Sequence, residues 1–140
     1  MPNLKPIEKR AASLGRKINK AIDDGKFQLD VGYASKTHPI WNPAPKAGVV
    51  CTGCALAAAA YAIGRVPLSA GQHECIQVVT QKITHDDAAQ LECGYERWTN
   101  TQITIERKGK TVHKTIKART KNAFYKLGQK LREQRPAFKG

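Results

Sequence analysis

The residues whose type and spacing most resemble a chemical site are Cys51 and Cys54, which open the apolar stretch CTGCALAAAAYAIG. A cysteine at a helix N-terminus is stabilised as a thiolate by the helix dipole, which is the basis of thioredoxin-type redox chemistry. Cys54 is better placed for this than Cys51. In thioredoxin-like folds, however, the C-x-x-C motif follows a strand, and here residues 37–48 before it are rich in proline. The sequence therefore favours a structural role for these cysteines over a thiol-redox site.

A zinc site would need two ligands besides the C-x-x-C pair, and the candidates are His73, Cys75 and Cys93. The sequence holds no second tightly spaced pair. Cys75 falls on the apolar face of a predicted helix, and His73 would point about 200° away from it on that helix. We therefore predict no metal site and interpret the cysteines as reduced thiols of the core. The residues that a zinc site could draw on are Cys51, Cys54, His73, Cys75 and Cys93.

Other catalytic motifs are missing from the sequence. It has no phosphate-binding glycine loop, no G-x-S-x-G and no H-E-x-x-H. His38, His85 and His113 are scattered over a loop, a helix start and a hairpin, where surface histidines are usual. We predict no catalytic residue and no cofactor, and the sequence does not favour an enzyme.

Charge is the strongest signal of the composition, because 24 Lys and Arg outnumber 11 Asp and Glu and give a formal net charge of +13. The excess lies at the two ends: residues 101–140 carry twelve basic and two acidic residues, and residues 1–26 carry seven and three. Residues 27–100 are almost neutral, with five basic and six acidic residues. Lys and Arg gain free energy on a polyanion because they displace its condensed counterions. The distribution predicts a partner that is DNA, RNA or an acidic protein surface.

Helical periodicity predicts the elements that position these charges. An apolar stripe from Ile7 to Ile22 indicates an amphipathic first helix with a basic second face. A second helix, capped by Thr52 and running to Ile63, is apolar on every side and is expected to be the buried centre of the fold. Two more helices are predicted to begin at Ser69 and at Thr84, each with a capping-box pattern.

The C-terminal part has a different period. Ile103 and Ile105 alternate with polar residues, Gly109 stands at a turn, and the alternation resumes after it, which predicts a β-hairpin. A last amphipathic helix is predicted over Ala118 to Gln134, slightly weakened by Gly128. A short strand is also expected from Phe27 to Tyr33.

The predicted fold is therefore a mostly helical α+β domain of about five helices with one β-hairpin in the C-terminal half. It forms a single domain over residues 1–140, whose basic region is residues 101–140. No apolar stretch approaches the roughly 18–20 residues of a membrane span, and the N-terminus has no secretory h-region. The expected location is the cytoplasm, with no membrane partner.

The first functional hypothesis is a non-enzymatic, basic nucleic-acid-binding accessory protein. The alternative is a protein-interaction module that inhibits a host defence or nucleic-acid-processing complex, and a third is a thiol-redox or zinc protein built on the C-x-x-C pair. Trp98 is expected to fill the core under the hairpin, with base stacking as the alternative. The candidate nucleic-acid-binding residues are the basic ones of the hairpin, the last helix and the first helix: Arg107, Lys108, Lys110, Lys114, Lys117, Arg119, Lys121, Lys126, Lys130, Arg16 and Lys20.

Two short segments carry a resemblance. CALAAAAYAIG resembles a Cys-Ala-Leu-Gly-Ala-Ala stretch that opens a helix in small uncharacterised bacteriophage and bacterial proteins, with Ala57 in place of the glycine. AAQLECGY is similar to a downstream segment in some of them. The resemblance covers about a fifth of the chain. It implies a mobile-element origin, possible phage encoding, and no particular activity.

Overall fold

The computed structural model describes residues 4–29, 51–64 and 72–134 of the chain. This part confirms the mostly helical α+β class with a hairpin in the C-terminal half. The predicted start at Ser69 and the predicted strand residues Val31 and Tyr33 lie outside the described residues. The helices are α1 Pro6–Asp23, α2 Ala55–Gly64, α3 Gln72–Val79, α4 His85–Glu96 and α5 Ala123–Gln134. The strands are β1 Phe27–Leu29, β2 Cys51–Gly53, β3 Asn100–Arg107 and β4 Lys110–Lys117.

Helix α2 is the centre of the core, as its uniformly apolar sequence predicts. Six of its residues are buried, four of them alanines, and Leu56 and Tyr61 are the larger two. The small alanine side chains let the helices around α2 approach closely, so that the stripe of α1 through Leu14 and Ile18 is buried in the same cluster. The hydrophobic effect on this cluster holds α1 and α5 against the same core.

The start of α2 differs from the prediction. Thr52 does not cap the helix, because it lies in β2, which pairs in parallel with β1 through the register Phe27 to Cys51 and Leu29 to Gly53. Helix α2 begins at Ala55 instead. All three residues of β1 are buried, which supplies apolar cover for this short pair. The C-x-x-C motif therefore spans β2, which begins at its first cysteine, and the start of α2, while residues 37–48 before it lie outside the described part.

The hairpin of β3 and β4 has the predicted turn. Lys108 and Gly109 connect the strands with φ of 50° and 75°, the two positive values that a type I′ turn requires. Thr101 faces Ile116 and Ile103 faces Lys114 across the ladder. Ile103 and Ile116 are buried against Ala89 of α4, so the base of the hairpin rests on that helix.

Helix α5 begins later than predicted. Asn122 precedes it, and the Asn122 Oδ1 accepts hydrogen bonds from the backbone N–H groups of Phe124 and Tyr125 at 2.8 and 3.3 Å. An asparagine in this role stabilises a helix start because it satisfies N–H groups that have no partner within the helix. Residues 118–122 are consequently a non-helical link between β4 and α5, and Thr120 in this link is exposed.

Gly128 of α5 has a packing function that its helix propensity does not indicate. A Cβ at this position would lie 2.2 Å from the carbonyl oxygen of Leu91, and one at Gly94 would lie 2.0 Å from that of Tyr125. The two glycines thus allow the backbones of α4 and α5 to touch. Among the described residues, no helix combines the length and the apolar character that crossing a bilayer would need.

Candidate functional site

A groove of about 690 Å³ lies between the start of α1 and the start of α5. We call it the basic groove. Its floor is formed by short or apolar side chains, among them Ala11 and Leu127, and the half-exposed Leu4 lies at its margin. One acidic residue, Glu8, lines it. Its cations come from both ends of the chain: Lys5, Arg119, Lys121, Lys126 and Lys130.

Local structure explains how these lysines reach the groove. Lys126 and Lys130 are four residues apart on α5 and therefore share one helix face. The Asn122 cap sets where α5 begins, which leaves Lys121 in the link just before it. Lys5 precedes α1, and its backbone N–H donates to Glu8 Oε1 at 3.0 Å, so the one acidic side chain of the groove is engaged at the helix start.

The four groove lysines make no ion pair with any residue that the structure describes. Like charges gathered on one surface repel each other, and a bound polyanion would relieve that repulsion. The groove therefore has the electrostatic properties of an anion-binding surface.

Arg119 differs from the lysines, although the sequence placed it in the same set. Its guanidinium forms a bidentate ion pair with the carboxylate of Asp86 in the first turn of α4. The hydrogen bond to Asp86 raises the pKa of Arg119. Arg119 lines the groove with its charge already compensated, so it is a weaker candidate for a phosphate contact.

The basic residues of the hairpin do not lie in the basic groove. Successive residues of a strand point to opposite faces of the hairpin, and residues paired across the ladder share a face. The basic side chains are therefore divided between the two faces. Lys110 and Lys114 are on the face of Ile103 and Val112, Lys117 is on the other face, and Lys108 is at the tip. All four are exposed. The side chain of Arg107 lies outside the described part.

Arg16 and Lys20 of α1 are both exposed and lie away from the groove. Lys20 forms an ion pair with Asp24 at 3.2 Å. It also lines a second cavity of about 600 Å³, together with Lys17 and Lys26, which the sequence analysis did not single out. The predicted binding residues are thus distributed over three surfaces, of which the basic groove gathers four.

The pKa shifts of the buried thiols are opposite to those of a redox site. Cys54, Cys75 and Cys93 are buried thiols. Burial raises the pKa of Cys54 from 9.0 to about 11, and nearby Glu92 and Glu96 add to the rise, which outweighs the hydrogen bonds of backbone N–H groups at the start of α2. Burial likewise raises the pKa of Cys93 to about 11. A reactive cysteine needs the opposite shift.

A metal site gains no support from the described residues, where no three His, Cys, Asp or Glu side chains converge. The side chains of the candidates Cys51 and His73 lie outside the described part, so the interpretation of those two residues stays a prediction.

Trp98 does not fill the core, contrary to the expectation from the sequence. It is 37% exposed at the junction of α4 and β3, whereas Tyr95 beside it is fully buried and Tyr125 is 9% exposed. Of the aromatic side chains that the structure describes, Trp98 alone is exposed. It is the described aromatic residue available for stacking on a base.

Comparisons with protein-family models, with curated proteins and with solved structures return no match. The resemblance to phage and bacterial proteins stays a prediction.

Two residues of this region were misjudged from the sequence. Lys5 was not a candidate, although it lies in the basic N-terminal segment; its sequence neighbourhood could not indicate that it would meet α5. Arg132 makes a structural contact that its sequence position did not indicate, because its Nη1 donates to the Tyr95 carbonyl oxygen at 2.6 Å. Arg132 thus stabilises the end of α4, where carbonyl groups lack partners within the helix.

Proposed function

We propose that the protein binds nucleic acid through the basic groove and acts as a non-enzymatic accessory protein. The observation that supports this is the convergence of Lys5 with Lys121, Lys126 and Lys130 on one surface that has a single acidic residue. Such a surface binds phosphates because its lysines release condensed counterions, and this contribution to the binding free energy does not depend on base sequence. A phage-encoded origin agrees with the sequence resemblance and is part of the proposal.

The alternative partner is an acidic protein surface, for example on a host complex that the protein would inhibit. The same lysines would serve both partners, because each presents carboxylate or phosphate oxygens to the groove. Nucleic acid is favoured because phosphates repeat at short, regular intervals along a strand, so that each of several groove lysines can neutralise one of them.

The test is a titration of the full chain against a fluorescent 20-base-pair DNA duplex and the corresponding single strand, at several salt concentrations. If the four groove lysines each neutralise one phosphate, the slope of log K against log [salt] on duplex is about −3.6. The variant Lys126→Gln/Lys130→Gln should lower the magnitude of this slope by about 2 and weaken binding to every sequence alike.

The matched control is Lys9→Gln/Lys82→Gln, which removes the same charge from two exposed lysines outside the groove. Equal losses in both double variants would show that net charge, and not the groove, is responsible. Absence of salt-dependent binding to DNA and RNA, together with a nuclease-resistant stoichiometric complex with one acidic protein, would establish the alternative partner instead.

A further inference from the structure

The hairpin of β3 and β4 has one covered face and one open face. The covered face rests on α4 at its base through Ile103 and Ile116. On the open face, every residue whose side chain the structure describes is exposed or half-exposed. In β4 only Ile116 is buried, so the outer part of the hairpin projects from the body of the protein.

The open face is built from polar, uncharged side chains over most of its length, and we call it the polar face. Opposite residues pair as Gln102 with Thr115 and Thr104 with His113, and the Thr104 Oγ1 and His113 Nδ1 are 3.2 Å apart. Each of these side chains carries a hydrogen-bonding group, and none is apolar. By the register, the polar face carries Asn100, Gln102, Thr104, Thr111, His113 and Thr115, with Lys117 at its base and Glu106 opposite Thr111 near the tip. The side chain of Glu106 lies outside the described part.

Cations surround this face. Lys108 lies at the tip of the hairpin and Lys117 at the base of the polar face. Lys110 and Lys114 are on β4 and belong to the opposite face. The segment 100–117 contains five basic residues and the single acidic residue Glu106. Lysines along an exposed strand also disfavour pairing with another protein strand. Hydrogen-bonding groups flanked by lysines fit base edges flanked by phosphates.

The dimensions agree with one kind of nucleic acid. Eight residues per strand, at about 3.4 Å each, make a ribbon roughly 27 Å long. The major groove of B-form DNA is about 12 Å wide and 8.5 Å deep, and it admits a two-stranded β-ribbon. The major groove of A-form RNA is too narrow and deep for side chains to read.

We infer that the polar face of the hairpin enters the major groove of double-stranded DNA, with Lys108, Lys110 and Lys114 on the phosphates that border it. This inference rests on the proposed function and specifies it, since the basic groove alone would accept single or double strands. The hairpin makes the protein a duplex reader whose contact with base edges is separate from its attachment through α1 and α5.

The experiment uses the full chain and four DNA probes of one mixed sequence. Two probes are the unmodified duplex and the corresponding single strand. In the third, glucosylated 5-hydroxymethylcytosine replaces cytosine and fills the major groove of the duplex. The fourth is the unmodified duplex with its minor groove saturated by netropsin. We expect glucosylation to weaken binding about tenfold, because it removes the ribbon and its lysine contacts, and netropsin to change it less than twofold.

The variant Lys110→Gln/Lys114→Gln should bind the unmodified duplex about tenfold more weakly and should lose its sensitivity to glucosylation. Its affinity for the single strand should change less than twofold. The control Lys9→Gln/Lys82→Gln should keep the sensitivity to glucosylation. Circular dichroism and urea unfolding of each variant check that the fold is intact.

The outcomes separate this inference from the proposed function. Binding that depends on Lys126 and Lys130 but is unaffected by glucosylation overturns the hairpin inference and leaves the proposed function standing. Displacement by netropsin, or equal affinity for the single strand, overturns the inference in the same way. Absence of binding to every probe overturns both.

Discussion

The side-chain amide of Gln90 joins two backbone groups that lie 27 and 29 residues further along the chain. Its Nε2 donates to the carbonyl oxygen of Lys117 at 2.8 Å, and its Oε1 accepts from the backbone N–H of Arg119 at 2.7 Å. Gln90 is fully buried on α4. Because Lys117 ends β4 and Arg119 lies in the link to α5, this amide ties both the end of the hairpin and the link to α4.

Replacing Gln90 with leucine should destabilise the protein by about 1–3 kcal/mol, because a carbonyl oxygen and an N–H group lose their partner in a partly buried position. The free energy of unfolding in urea measures this. The control Gln102→Leu alters an exposed glutamine of the hairpin and should stay within about 0.5 kcal/mol of the parent protein. A loss below that value for Gln90→Leu would contradict the bridging role.

Gly128→Ala tests the contact between α4 and α5. Helix propensity alone predicts a gain of about 1 kcal/mol for alanine. The new Cβ would overlap the carbonyl oxygen of Leu91, 2.2 Å away, so the helices must separate. We expect a net loss of about 1–3 kcal/mol, the usual range for overpacking.

The neighbouring exposed residue provides the control for Gly128. Gln129→Ala introduces the same residue at an exposed position of α5 and should alter the melting temperature little. A Gly128→Ala protein that is more stable than the parent would show that the two backbones do not need this close approach.

The buried thiol of Cys54 predicts a loss of stability in alkaline solution. Its pKa is about 11 in the folded protein against an ordinary value of 9.0. In the unfolded chain the thiol ionises as pH rises above about 9, whereas in the folded protein it stays neutral until about pH 11. Its contribution is therefore fully present below pH 9 and is lost between pH 9 and 11, by about 2–3 kcal/mol.

The measurement for Cys54 is urea unfolding at pH 8 and at pH 10.5 for the parent protein and for Cys54→Ala. The variant removes this one thiol, so every other contribution to the pH dependence is common to the two proteins. The alanine variant should therefore lose less stability with pH than the parent. Parallel curves would mean that the thiol ionises in the fold at its ordinary pKa.

The ion pair of Arg119 with Asp86 predicts that removing the charge of Arg119 and removing the charge of Lys126 have unequal effects on DNA affinity. Arg119→Gln should weaken binding less than Lys126→Gln, because the Arg119 charge is already compensated by Asp86. Asp86→Asn should strengthen binding several-fold, because it releases that guanidinium toward the groove.

The double variant Asp86→Asn/Arg119→Gln should return to the affinity of Arg119→Gln alone. Salt titration of each variant gives the number of phosphate contacts that are gained or lost. An Asp86→Asn protein with unchanged affinity would place Arg119 outside the binding surface.

Periodicity predicted α1, α2, α4 and the hairpin because each carries its own pattern. In each of these elements the spacing of apolar residues indicates which faces are buried: one stripe in α1, all sides of α2 and alternate residues around Gly109. The hydrophobic effect buries such faces whichever element covers them. The cap of α4 was equally local: Thr84 Oγ1 accepts from the Asp87 N–H at 3.0 Å, as the spacing of the two residues indicates. Charge at the two ends of the chain was also visible in the sequence.

The tertiary structure decided how distant parts of the chain combine. Because β1 pairs in parallel with β2, Thr52 lies in a strand and does not cap a helix. Because α4 contacts α5, the close approach of the two helices requires glycine at position 128, although glycine lowers helix propensity. Lys5 met the lysines of α5, while Arg119 was neutralised by Asp86. Such outcomes depend on which surfaces pack against each other, and a pattern within one segment contains no information about the segment that will face it.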